Sequence, residues 1–285
     1  MKETIKDIPL GELHPFPDHP FGVRDDEAMQ QTVESVREYG VLVPAIARPL
    51  EDGSYELISG HRRKRACELA GLKTMPVIVR DIDRDAATVI MVDSNIQREN
   101  ILPSEKAKAY KMKLEAIKRQ GARHDLTSVQ VGQKLSNKTS REKIAENSAD
   151  SATQIQRYIR LTELQPELQQ MVDDGKIGMT PAVELSYLKP TEQKLLIDTI
   201  DSEQATPSLS QAQRMKRLSQ EGKLTDDSML GIMMEQKKPE NWNLTLPMDK
   251  IKKYFPRSYT PQRMEETIIK LLDSWMKKRQ RDQQR

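Results

Sequence analysis

An α+β N-terminal domain, an all-α domain after it and a small helical C-terminal segment make up the fold this 285-residue chain predicts. Three observations carry the prediction. Strand and helix signals alternate over residues 1–82, whereas from about Asp85 onward the strand signals fade and helical spacing dominates. The composition, 31% charged with only 4% aromatic residues, describes a helix-rich chain in several parts. The length suits two or three modest domains rather than a single core.

Thr4 to Ile8 reads as a short strand. Asp25 or Asp26 caps a helix carrying Met29, Val33 and Val36 on one face, and Gly40 suits its C-terminal stop. Val43 to Arg48 and Tyr55 to Ser59 read as strands joined by the turn Glu51-Asp52-Gly53-Ser54. A helix follows from His61 to about Leu69, with Ala66, Leu69 and Ala70 as its expected buried face, and Met75 to Val79 is another strand. The expected domains are 1–103, 104–200 with a helix-turn-helix at about 141–161, a linker over 201–221 and a segment 222–285. Residues 121–139 are polar and turn-rich, and residues 140–190 read as four short helices. The last helix takes Thr260 as cap and Pro261 in its first turn, and its stripe of Met264, Ile268, Leu271, Leu272 and Trp275 asks for a partner surface, within the chain or on a second copy.

Several classes are excluded or disfavoured at this stage. No apolar stretch approaches the roughly 20 residues needed to cross a bilayer, and the start lacks a signal-peptide apolar core. The single cysteine, Cys67, rules out an internal disulfide framework and a CxxC metal site, so a cytoplasmic setting is the expectation. The net charge of +3 says less than where the charge sits.

One stretch concentrates that charge. In Ser59-Gly60-His61-Arg62-Arg63-Lys64-Arg65-Ala66 a strand ends and a helix begins on a run of cations. A helix N-terminus already presents unpaired N–H groups and the positive end of its dipole, so cations there are unfavourable by several tenths of a kcal/mol each. An anion at the site removes the conflict: Gly60 lets the backbone approach it, and Arg62, Arg63 and Arg65 add charge-assisted contacts. The bland alternative is a solvated basic face.

Gly60-His61-Arg62-Arg63-Lys64-Arg65-Ala66 resembles the G-E-R-R-x-R-A box of ParB-type partition proteins. His14-Pro15-Phe16 through Arg24 stands where that family has its first motif. Ser94-Asn95-Ile96-Gln97-Arg98 through Glu105 is similar to its E-N-x-Q-R-x-x-L-x-P-x-E segment. The resemblance covers about residues 4–190 and implies a fold shared with sulfiredoxin-like enzymes, CTP with Mg²⁺ as cofactor, and closure as a clamp around DNA. By position it implies that Gly60, His61, Arg62 and Arg63 hold the triphosphate, with Asn95, Arg98 and Arg24 completing the site. His61 stands in place of the box's acid and Ser94 in place of the family's Glu, which leaves at most slow CTP hydrolysis. A sulfiredoxin-like activity lacks its nucleophile, because Gly60 occupies the cysteine's place and Cys67 is expected in the core.

Ile144-Ala145 through Thr153-Gln154-Ile155 follows helix-turn-helix spacing. Its second helix turns Ser151, Thr153, Gln154, Gln156, Arg157 and Arg160 toward solvent, side chains that read base edges or grip phosphates, while Tyr158, Ile159 and Leu161 pack. Residues 104–123 carry seven Lys or Arg against two Glu. Lys106, Lys108, Lys111, Lys113, Lys118 and Arg119 are the expected backbone-gripping cations, with a solvated lysine face as the alternative. The C-terminal Lys277, Lys278, Arg279 and Arg281 leave the same two readings open.

The reading is a sequence-specific, dimeric, nucleoid-associated DNA-binding partition protein acting on a palindromic centromere-like site, with a ParA-type ATPase partner implied by the resemblance. Its rivals are a nucleotide-independent transcriptional regulator and a phosphotransferase or nuclease on the same N-terminal fold.

Overall fold

The structure, a computed structural model, describes residues 5–98, 101–127, 139–146, 148–235, 251–256 and 258–283. The chain divides into two compact units, 1–235 and 236–285. The first opens with five strands, β1 (Ile5–Pro9), β2 (Leu13–Pro15), β3 (Ala45–Pro49), β4 (Tyr55–Ser59) and β5 (Thr74–Val79), in the order β1-β5-β3-β4-β2. The two outer pairs differ. β1 runs antiparallel to β5, and β2 runs parallel to β4. Gly53, at φ 85°, makes the predicted β3–β4 turn, where Asp52 accepts from the Ser54 amide.

Two helices cover one face of this sheet. In α1 (Glu27–Tyr39) Asp26 is the cap, accepting from the Met29 amide, and Met29, Val33 and Val36 are buried as expected. The second is α2 (His61–Ala70). Their apolar sides meet Leu13, Ala45, Ala47, Leu57, Met75 and Val77 in one core. In α2 the buried residues are Ala66 and Cys67, whereas Leu69 is 40% exposed. The expected apolar face is therefore rotated, and the helix contributes only small side chains because it lies close against the sheet.

Strand alternation sends Ile58 to the opposite face. There it joins Ala87, Met91 and Val92 of α3 (Arg84–Asn95), Ala109, Tyr110 and Leu114 of α4 (Pro103–Thr127), Ile144 of α5 (Ser140–Glu146) and Ile155 of α6 (Ala152–Arg160). One core thus runs from the sheet into the helix-turn-helix, across the boundary expected at residue 103. The third core is all helical: α7 (Pro166–Asp173), α8 (Met179–Leu185), α9 (Pro190–Glu203), α10 (Leu209–Gln220) and α11 (Asp226–Met234) bury Leu168, Leu185, Leu196, Met215 and Met229 together.

Two expectations are corrected here. The linker placed at 201–221 is instead the end of α9 followed by α10, whose Ala212 and Met215 are fully buried. Its Ser and Gln content misled because those residues cap: Ser208 and Gln211 form a reciprocal capping box. The polar stretch from residue 121 begins as helix, since α4 continues to Thr127; residues 128–138 lie outside the described ones. In the second unit α12 (Pro261–Gln283) buries Met264 but leaves Leu271, Leu272 and Trp275 more than half exposed.

Candidate functional site

The strand β4 delivers the chain to Gly60, which adopts φ 111° as the residue before α2. A Cβ at that position would lie 2.8 Å from the Cβ of Ala45, itself fully buried in β3. No other residue fits the turn. No side chain caps α2, so its first amides stay open in the manner of an anion-binding helix start.

Around this opening the cations divide by task. Arg62, partly buried, makes one long contact, 3.5 Å, to the exposed Asp26. Arg63 donates to the carbonyls of Val43 and Pro44, the latter at 2.7 Å, and so holds the loop that enters β3. Arg65 is locked onto Asp25 at 2.5 Å, where the guanidinium lowers the carboxyl's pKa. There it lines a cleft of about 360 Å³ with Pro15, Val23, Asp25, His61, Lys64 and Glu68. Arg98 arrives from the residues after α3. Burial and the charges of Arg62 and Arg63 lower its pKa, which places three guanidiniums in one another's field. Arg24 is exposed on the chain leading to Asp25.

Asn95 is 2% exposed; its amide donates to the Met91 carbonyl at 2.7 Å, and its Oδ1 is buried without a hydrogen-bond partner. Ser94 donates to the same carbonyl at 3.0 Å. His61 accepts from the Phe16 amide at 3.4 Å through Nε2, and its ring lies against that of His19 with centroids 3.9 Å apart and planes inclined at 42°. Burial, helped by His19, Arg98 and Lys64, pushes His61 down to about 3, so the acid of the family box is replaced by a neutral ring.

The helix-turn-helix is held by a polar knot on α4. The Tyr110 hydroxyl meets Asp150 at 2.6 Å and Ser148 at 2.7 Å, and Lys106 reaches Asp150 at 3.5 Å. Ser151 caps α6 through the Gln154 amide. Thr153 is exposed, and Gln154, Gln156 and Arg157 are partly so. Arg157 reaches Thr180 at 2.6 Å. Arg160 is not free to read bases: it bonds Ser186 at 3.0 and 2.7 Å and lies over the Tyr187 ring, tying α6 to α8.

The basic helix is corrected in the same way. Lys113 is 2% exposed and paired with Asp93, Lys111 is drawn to Glu163, and Arg119 pairs with Asp85. Much of the positive run on α4 answers acids of neighbouring helices. Lys108 and Lys118 are exposed.

Residues 1–96 match the ParB N-terminal domain and residues 99–208 the ParB HTH domain. Stage 0 sporulation protein J of Bacillus subtilis is 32% identical over 216 residues, which span 74% of this chain and 69% of that protein. The chain belongs to the ParB family.

A second ParB-family relative, the chromosome-partitioning protein Spo0J of Thermus thermophilus, is 32% identical over 65% of this chain and 61% of its own length. Among solved structures, a C-terminally truncated ParB from Caulobacter crescentus complexed with CTP-gamma-S is 28% identical, covering 67% of this chain and 96% of that one, with a TM-score of 0.32. Within the ParB frame the resemblance-derived residues meet unequally. Gly60, His61, Arg62, Arg63 and Arg98 gather at the start of α2, and Asn95 ends the helix just before Arg98. His19 carried no motif signal beyond lying within the first-motif stretch, and only its ring contact with His61 draws it in.

Proposed function

We propose that this chain is a sequence-specific DNA-binding partition protein that loads on a palindromic centromere-like duplex and binds CTP at the start of α2. The observation that carries the nucleotide half is an uncapped helix start that only glycine can form, with Arg62 and Arg63 in its first turn and Arg98 within the reach of their charge. The charges of Arg62 and Arg63 bear on the half-buried Arg98, and a triphosphate offsets like charge of that kind. CTP supplies the polyanion; the protein's part is to receive it. Gly60 and the first amides of α2 take a phosphate directly. Arg62 is released for it at small cost, because surface pairs of its kind are worth roughly 0–1 kcal/mol. Arg63 keeps the 43–44 loop in place while lending its charge.

Mg²⁺, in this reading, enters with the triphosphate, whose oxygens supply the hard ligands it prefers. Ser94, standing where the resembled motif has Glu, supports slow turnover at most. DNA is taken by α6 through Ser151, Thr153, Gln154, Gln156 and Arg157, with Lys108 on the backbone. Homodimerisation through α12, a ParA-type ATPase partner and residence with the nucleoid complete the proposal.

The test begins by selecting bound sequences from random duplexes. Nucleotide is then titrated with and without the winning site. CTP-dependent retention on closed DNA supports the reading. DNA binding that ignores every nucleotide leaves a plain regulator, and rapid product formation points to an enzyme.

A further inference from the structure

His19 lies in the loop between β2 and α1, and nothing above gives it a task. Its ring stands against His61, the first residue of α2, with centroids 3.9 Å apart. Its Nδ1 is 2.8 Å from the Phe21 carbonyl, which can only accept, so Nδ1 carries the proton. Nε2 is thereby left as a bare lone pair, and that atom is buried without a hydrogen-bond partner. A buried acceptor with nothing to accept is costly, and such sites mark places where a missing group belongs.

We propose that His19 is a further ligand-contacting residue of the cradle: as a phosphate-bearing nucleotide docks, His19 takes a proton from solvent and donates it through Nε2 in a hydrogen bond to the anion. This rests on the reading of the cradle as a nucleotide site and adds a residue and a proton to it. The fixed Nδ1–H bond to Phe21 makes imidazolium the form able to satisfy both ring nitrogens at once.

The surroundings decide when that form exists. His61 and Lys64 come from α2, Arg98 from the residues after α3, and Glu105 from α4, where it is tied to the Gly22 and Leu102 amides. Burial, with Arg98, holds the His19 pKa below its usual value against the raising effects of Phe21 and Glu105. A phosphate among the arginines reverses the sign of the dominant local charge and favours the protonated ring. Binding then takes up a proton, and affinity rises as pH falls toward the range in which free imidazole titrates.

The chain has only four histidines, so ¹⁵N-histidine NMR of the full protein reads each ring directly. The expected result at pH 7 is that saturating CTP converts one histidine from the neutral Nδ1–H tautomer to imidazolium, and that this signal is missing in His19→Gln and His19→Asn. Titration calorimetry in buffers of differing ionisation enthalpy should show more proton uptake for the wild type than for either variant, a difference that cancels protonation of CTP itself. Weakening in the variants should be several-fold at pH 6 and smaller at pH 8, with unchanged melting temperatures. His19 staying neutral in the saturated complex, or variants matching the wild type at both pH values, overturns the proposal and leaves the nucleotide reading intact. Failure of the wild type to bind CTP at any of these pH values overturns both.

Discussion

At Gly60 two demands coincide: a backbone angle of 111° and a close approach to Ala45 that leaves no room for a methyl group. Gly60→Ala is expected to cost about 2–4 kcal/mol, from unfavourable dihedrals plus overpacking against the sheet, and urea denaturation measures it. His61 gives a second prediction at this scale, with its sign fixed by linkage. Its folded pKa of about 3 lies below the ordinary 6.5, so below pH 6.5 the unfolded state binds the extra proton. Stability is therefore full above pH 6.5 and falls as the pH drops toward 3, by about 2–3 kcal/mol between pH 6.5 and 4. His61→Gln, which keeps a polar group without a titrating one, should flatten this part of the stability–pH curve.

Helices α4 and α6 are where charge in the sequence and charge in the fold part company. Lys113, buried and paired with a partly exposed Asp93, and Lys108, exposed about one and a half turns earlier, are indistinguishable as lysines on one helix. Lys113→Ala is expected to destabilise the protein by about 1–3 kcal/mol, through the lost packing of its buried stem and the lost hydrogen bond to Asp93, with no change in the salt dependence of DNA binding. Lys108→Ala should do the reverse, leaving stability alone and reducing the slope of log affinity against log salt by about 1. Within α6, Arg157→Ala should weaken specific binding by about 1–3 kcal/mol, as for a side chain that reads a base. Arg160→Ala should act on stability, because its hydrogen bonds to Ser186 tie α6 to α8. Thermal melts beside operator titrations separate the two arginines.

For the whole molecule, the central core joining Ile58, Tyr110, Ile144 and Ile155 makes the sheet and the helix-turn-helix one compact unit. An event at the start of α2 therefore has a packed route to α4 and α6. The last unit is different in character: α12 leaves Leu271, Leu272, Trp275 and Met276 exposed, an apolar surface suited to burial against a second copy. Leu272→Asp with Trp275→Ala is expected to yield monomers by sedimentation while residues 1–235 keep their melting transition. A dimer that survives the double change assigns self-association elsewhere.

Much of this was legible from residue order alone. Period-two and helical spacing located four of the five strands, Asp25 or Asp26 and Gly40 marked the ends of α1, and Gly60 before a cationic helix marked the turn into α2, because local backbone rules need no distant partner. The family box, too, is a local string. What the tertiary structure alone decided is how side chains are shared between elements far apart in sequence. Arg63 serves the Val43 and Pro44 carbonyls, Arg65 serves Asp25, Lys113 serves Asp93, Arg160 serves Ser186, and His19 is drawn against His61 across 42 residues of chain. A charge declares itself in the sequence, but whether it faces solvent, a ligand or an internal partner depends on which elements pack beside it. That is why the turn into α2 followed from local order while the partners of the cations around it did not.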